Sequence, residues 1–281
     1  MAQGCLSIMS RHGTTARYTE PMTMSIRTAS LPPPATPALM SEARSVVTRS
    51  LGLAMAATPV PVLWGAVGAV AALSGLLLFA GLLIGVERGL AGYHPHPRLG
   101  IANRITLVRA GIACLIATRA IDPDPLGAPE RWLLAAIAMA GLLLDGADGW
   151  AARREGLASA FGARFDMEVD AFAILVLATT VAKAAAVPWW VLAIGGMRYL
   201  YVAAGWVLPL LQRSLPACRF ADQRRKTVAV IQSGALIIAL APATAPGWAA
   251  AVCGIALALL GSSFAADVAL LLSPARMGEV E

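Results

Sequence analysis

Charge is scarce in this chain. Only 14% of its 281 residues are Asp, Glu, Lys or Arg, against about a quarter in a typical soluble domain. Combined with 58% hydrophobic residues and a mean hydropathy of +0.70, that scarcity excludes a globular domain built around one buried core. Cysteine is scarce too. Cys5, Cys114, Cys218 and Cys253 are scattered without CxxC spacing, so they read as small hydrophobic fillers and not as a disulfide framework or a metal site. No basic stripe is interleaved with aromatics. The formal charge of +6 therefore points to cytoplasmic loops and anionic lipid head groups, and away from nucleic acid. There is no repeat of the solenoid kind.

What the chain has is long apolar runs. They predict an all-α fold, a polytopic transmembrane helix bundle of six core helices with an extra N-terminal hydrophobic helix. The core spans are expected at about 105–120, 132–149, 161–181, 191–211, 227–240 and 248–272, most of them near the length a bilayer requires. Residues 1–50 are rich in Ser, Thr, Ala and Pro and show little periodicity, so they read as a disordered segment. Residues 51–100 hold the extra helix and a linker. Leu51 to Pro61 is expected to be an interfacial piece, and Val60 to Val86 is expected to span. His94 and His96 alternate with prolines and read as a loop. Residues 101–273 form the transmembrane domain, and 274–281 a short tail.

The basic loops alternate. Arg88–Arg109, Arg153–Arg164 and Arg213–Lys226 fall on one side, which the positive-inside rule assigns to the cytoplasm. A single extra span conflicts with this, because it would place Arg44 and Arg49 outside. Trp189 and Trp190 read as an interface belt.

Against this background four carboxylates stand out between Leu144 and Ala171. Asp145 and Asp148 are spaced i,i+3, and Asp166 and Asp170 i,i+4, so each pair shares a helix face. A polar turn around Arg153, Arg154, Glu155 and Gly156 makes the two helices antiparallel neighbours. Four converging carboxylates repel one another unless a cation sits between them. Hard divalent ions take oxygen ligands and often bridge carboxylates to substrate phosphates. Gly149, Ala152 and Gly162 lie one turn from the aspartates and leave room beside them, and Arg153 offers a charge suited to phosphate.

Together the residues read D-x2-D-G-x2-A-R-x8-G-x3-D-x3-D, from Asp145 to Asp170. This resembles the signature of the CDP-alcohol phosphatidyltransferases at every fixed position, and a looser likeness runs from about Asn103 to Ala269. The resemblance implies transfer of a phosphatidyl group from CDP-diacylglycerol to an alcohol acceptor, with release of CMP and with Mg2+ or Mn2+ as cofactor. It implies that Asp145, Asp148 and Asp166, together with Asp170, form the metal site. Asp170 matches the family's proposed general base, and Gly149, Ala152 and Gly162 give the nucleotide room.

Asn103, Thr106 and Arg109 form a polar triplet on one helix face, like the one the family often shows near the nucleotide. As a cap and an interfacial arginine, the same triplet has no catalytic meaning. Arg198 lies in mid-span, where it either pairs with a site carboxylate or binds the acceptor's phosphate; the family often has an arginine in this region, which favours the second role. Arg219 and Lys226 belong to the densest basic stretch, and Lys226-Thr227 matches a K-T pair common in the family.

The acceptor stays open between glycerol 3-phosphate, which the arginines favour slightly, inositol phosphate, serine and another phospholipid. A homodimer in the inner membrane, with its active site facing the cytoplasm, is the expected setting. The competing class is an ion or proton-coupled transporter. It is disfavoured because the aspartates gather at one membrane face and do not line a path across it.

Overall fold

Proline, glycine and aspartate at the ends of the apolar runs determine where helices stop. The computed structural model describes residues 36–63, 67–93, 98–155, 159–208 and 219–272; the side chains at 60–61, 91–93, 147–155, 160 and 219–222 are outside the described set. Every regular element among the described residues is helical. In order they are α1 (Pro37–Ala57), α2 (Pro59–Leu63), α3 (Ala69–Tyr93), α4 (Ile101–Ile121), α5 (Ala128–Glu155) and α6 (Ala160–Lys183). A 3-10 turn (Trp189–Val191) then leads into α7 (Leu192–Val207), followed by α8 (Arg219–Leu240) and α9 (Pro246–Leu271). The fold is the expected all-α polytopic bundle.

Four stretches among the described residues are long and apolar enough to cross a membrane: Ala69–Leu90, Ile101–Ile121, Trp189–Val207 and Pro246–Leu271. Of the helices that fall short, α5, α6 and α8 carry the aspartates and basic residues of the candidate site, and those charges lower their hydropathy. Small residues let the helices approach one another. Ala117, Ala138, Ala178, Ala235, Ala239 and Ala256 are all buried where α4, α5, α6, α8 and α9 meet. This fits association in lipid, where close van der Waals packing takes over from the hydrophobic effect. Large apolar side chains such as Leu77, Ile255, Trp206 and Trp248 point outward. Of the expected tryptophan pair, Trp189 is exposed while Trp190 packs against the core.

A buried polar knot ties the bundle together at the end away from the aspartates. The Gly68 N–H donates to Asp122 Oδ2 at 2.6 Å and the Asp124 N–H to Asp122 Oδ1 at 3.0 Å. Arg119 lies 3.2 Å from Asp122 and 2.9 Å from Glu130. Lys183 donates to the Arg119 carbonyl at 2.5 Å and also to the Asp122 carbonyl. The residue before α3, the C-terminus of α4, the N-terminus of α5 and the C-terminus of α6 are thus joined around Asp122 and Arg119. Arg131 adds a bond from its Nε to the Leu240 carbonyl at 3.0 Å, reaching α8.

Several sequence expectations are corrected here. The disordered segment was expected to reach residue 50, but α1 begins at Pro37. The Thr36 hydroxyl accepts from the Leu39 N–H at 3.3 Å as an N-cap, proline occupies the first turn, and Leu39 and Ala43 are buried. Leu51 to Ala57 therefore continues a helix, and the break falls at Pro59, as proline's missing N–H requires. The extra span begins at Ala69, not at Val60. The second core helix runs on to Glu155, because Ala151, Ala152, Arg153 and Arg154 are strong helix formers. Arg224, Arg225 and Lys226 lie in the first turns of α8 and not in a loop.

The early part of α1 meets the late part of α3. Arg44 pairs with Glu87 at 3.0 Å, while Glu42 bonds Arg104 at 2.6 Å and accepts from the Leu99 N–H at 3.4 Å. This puts Arg44 at the same end as the aspartates, which removes the conflict that a lone extra span created. His94 and His96 lie outside the described residues, as do 1–35 and the 274–281 tail.

Burial by itself would raise the Asp122 carboxyl, but the two N–H groups and the Arg119 and Lys183 charges outweigh it and hold the group below the usual aspartate range. A carboxylate held low contributes stability that is complete above its unfolded pKa, about 3.9, and is lost as pH falls through the lower folded value. Removing one partner of a buried charge network costs roughly 3 kcal/mol or more. Thermal unfolding in detergent is therefore expected to show Asp122→Ala strongly destabilised at pH 7. The gap between wild type and Asp122→Asn is expected to close as the pH drops below about 4.

Candidate active site

The site is built where α4, α5, α6 and α8 come together. On α4, Asn103, Thr106 and Arg109 recur every three residues, so they share one face, and all three are buried. Thr106 donates to the Ala102 carbonyl at 3.1 Å and Asn103 to the Leu99 carbonyl at 2.5 Å. These bonds stay within α4 and the turn just before it and leave the long Arg109 side chain to cross the interior.

Arg109 is the hub. Its guanidinium lies 2.8 Å from an Asp145 carboxylate oxygen on α5 and 2.6 Å from Asp166 on α6, and it also bonds Asp170 one turn further along. The arginine side chain is 7% exposed, while the three aspartates keep 26%, 39% and 29% of theirs open. One buried cation therefore gathers three carboxylates whose other edges reach solvent. An oxygen from each of the three lies within 4.8 Å of the others. All-oxygen donors, negative in excess and closely set, suit a hard divalent cation; an imidazole- or thiolate-loving metal would find no ligand of its kind there.

The helix ends have local reasons for their geometry. The Ser159 hydroxyl caps α6 by accepting from the Gly162 N–H at 3.0 Å. A Cβ at Gly162 would come within 2.9 Å of Asn103 Oδ1. The glycine thus makes room for the Asn103 amide, where the sequence reading reserved that space for a nucleotide. Below the carboxylates a small cavity of about 50 Å³ runs into the bundle, lined by Arg109, Asp145, Asp170, Gly141, Ala229 and Ser233. Ser233 was missed by sequence reasoning; a lone serine in an apolar run gives no signal. Lys226 is exposed near the start of α8, within electrostatic reach of Asp145.

Other expected residues fall elsewhere. Asp148, Gly149, Ala152 and Arg153 occupy the last turns of α5, and Arg219 opens α8, but their side chains lie outside the described residues. Arg198 does not reach the three carboxylates. It pairs with Glu168 of α6 at 2.6 Å, so the first of its two expected roles is replaced by a neighbouring partner. Arg224 and Arg225 both engage Asp267 on α9, the latter at 3.1 Å. Part of the basic cluster thus ties α8 to α9 and is not open to a ligand.

The family profile described as CDP-alcohol phosphatidyltransferase matches residues 99–260, a span that begins at the turn before α4 and takes in every residue of this site. No match is found among curated proteins or among solved structures. With over half its length matched and three of the motif's aspartates drawn onto one arginine, the chain belongs to the CDP-alcohol phosphatidyltransferases, integral membrane enzymes that transfer a substituted phosphate group from a CDP-alcohol to an alcohol.

Proposed function

We propose that this enzyme moves a phosphatidyl group from CDP-diacylglycerol, or a closely related CDP-lipid, to glycerol 3-phosphate and releases CMP. The observation that carries the reading is the closeness of Asp145, Asp166 and Asp170 around Arg109 at one end of the bundle. A lipid donor keeps its tails in the bilayer while its pyrophosphate reaches such a site. Asp145, Asp148 and Asp166 hold Mg2+ or Mn2+, which when bound neutralises the pyrophosphate and the departing CMP. Asp170 takes the proton from the acceptor hydroxyl as that oxygen bonds to the β-phosphorus and the bond to CMP breaks.

Arg109 keeps the carboxylates aimed at one another, a task its planar fork performs and a lysine's single ammonium does not. Gly149 and Ala152 line the nucleotide's side, with Asn103 and Thr106 beside it and Gly162 making room for the Asn103 amide. Arg153, Arg198, Arg219 and Lys226 supply positive charge for the phosphates. Glycerol 3-phosphate is favoured because this much positive charge suits an acceptor that is itself phosphorylated. The extra-helix unit (51–100) precedes the transferase unit (101–273). In this reading the enzyme is a homodimer in the inner membrane; the alternation of basic stretches supports a site facing the cytoplasm.

The test is CMP release from CDP-diacylglycerol by purified protein with Mg2+ or Mn2+, supplying acceptors one at a time. Release is expected with glycerol 3-phosphate and is expected to fall about 10²–10⁴-fold in Asp170→Asn, the usual loss for a general base. Release only with inositol phosphate or serine would replace the acceptor; none with any acceptor, from protein that is folded, would refute the reading. Arg109→Lys keeps the charge but loses the fork. In the same assay it is expected to lose at least about tenfold in kcat/KM, with a higher metal concentration needed for half-maximal rate.

A further inference from the structure

Among the described residues a second, larger cavity lies away from the aspartates. About 640 Å³ of open space lies between α3, α6 and α7, within the usual range for a small-molecule site, about 300–1,000 Å³. Its walls are apolar: Leu78, Leu82 and Gly85 from α3 face Phe165, Val169 and Phe172 from α6. Arg164, Glu168 and Tyr199 supply the polar groups. Asp166 and Asp170 both turn to Arg109 of α4 and Asp170 lines the smaller cavity, while neither lines this one, so the helix itself separates this space from the reacting groups. The α3 wall lies outside the stretch that matches the family, which begins at residue 99. This chamber therefore depends on the chain's own extra helix.

Its dimensions fit one kind of occupant. Gly89, at the polar end, lies against Phe161, where a Cβ would be 2.6 Å from the ring. From there to Leu78 is eleven residues, or about 16 Å of helix. One leaflet's hydrocarbon is about 15 Å deep. The cavity thus runs from the aspartate end to about mid-membrane, the depth of one acyl chain. Glu168 is paired with Arg198, whereas Arg164 makes no ion pair among the described residues and is exposed. A positive charge at head-group level above an apolar slot is complementary to a phosphate on a tail.

We propose that this cavity seats one acyl chain of an anionic glycerophospholipid from the leaflet facing the aspartates, with its phosphate at Arg164. This lipid is held beside the reacting site and is not the donor. The inference does not rest on the transferase reading, because binding is read without any reaction.

The test uses full-length protein in phosphatidylcholine nanodiscs containing a trace of phosphatidylglycerol with a photo-reactive diazirine on one acyl chain. Cross-links are mapped by mass spectrometry. They are expected on 78–89 and 161–172. Because a Cβ at Gly85 meets no atom within 4 Å, Gly85→Phe has room to fill the slot and is expected to reduce labelling at least about tenfold. Leu73→Phe, at an exposed position of the same helix, is expected to leave it unchanged. Arg164→Gln is expected to weaken labelling about tenfold through loss of a charge-assisted contact, and it keeps the test open should Gly85→Phe fail to fold. Labelling spread evenly over the outer faces, or indifferent to Arg164→Gln, would overturn the proposal. So would displacement by CDP-diacylglycerol, which would make the slot the donor's own tail site.

Discussion

Three carboxylates on two helices cannot be brought together in a membrane without positive charge, and Arg109 supplies it. An isolated ionised side chain in hydrocarbon is costly, and like charges held close raise that cost further. The guanidinium satisfies Asp145, Asp166 and Asp170 at once, and in doing so it locks α4, α5 and α6 into one relative position. Breaking a buried network of this kind by removing one member leaves the others uncompensated. Structure and chemistry thus depend on the same side chain: it assembles the bundle's interior and leaves the outer edges of the carboxylates open for a divalent ion.

The rest of the bundle follows from needing that end precise. At the opposite end, Asp122 repeats the solution in inverted form, one buried carboxylate collecting cations and N–H groups from four parts of the chain. Between the two polar knots the helices are held by small residues, which allow close approach but give little directional preference. The ends therefore determine register, and the alanine-rich middle follows. The Arg224 and Arg225 pairs with Asp267 extend the same device to α8 and α9.

Much of the site was legible because its parts are close in sequence. The i,i+3 and i,i+4 spacing of the aspartates, and the small residues a turn away, express helix geometry directly. The all-α helical architecture followed from apolar run length, although only four of the stretches are long and apolar enough to cross a membrane among the described residues. What escaped were long-range partners. Nothing local indicates that Arg109 would meet carboxylates 36 to 61 positions later, and its alternative reading as an interfacial arginine was equally consistent with its neighbours. Glu168 gave no sign that it would take Arg198, and Asp267 none that it would take Arg224 and Arg225. Helix α1 was missed because its composition is mixed; what stabilises it is the Thr36 cap and the burial of Leu39 and Ala43. Gly162 was read as space for a ligand, but a neighbouring Asn103 amide claims that space.

The central claim is that the carboxylates gathered by Arg109 hold a divalent ion against the donor's phosphates. Electron-nuclear double resonance on protein loaded with Mn2+ and CDP tests it without turnover, by reading phosphorus-31 coupling to the manganese. The account predicts a clear coupling in wild type that disappears in Asp166→Asn. Manganese bound with no phosphorus coupling, or bound just as well when Asp166 is changed, would contradict it.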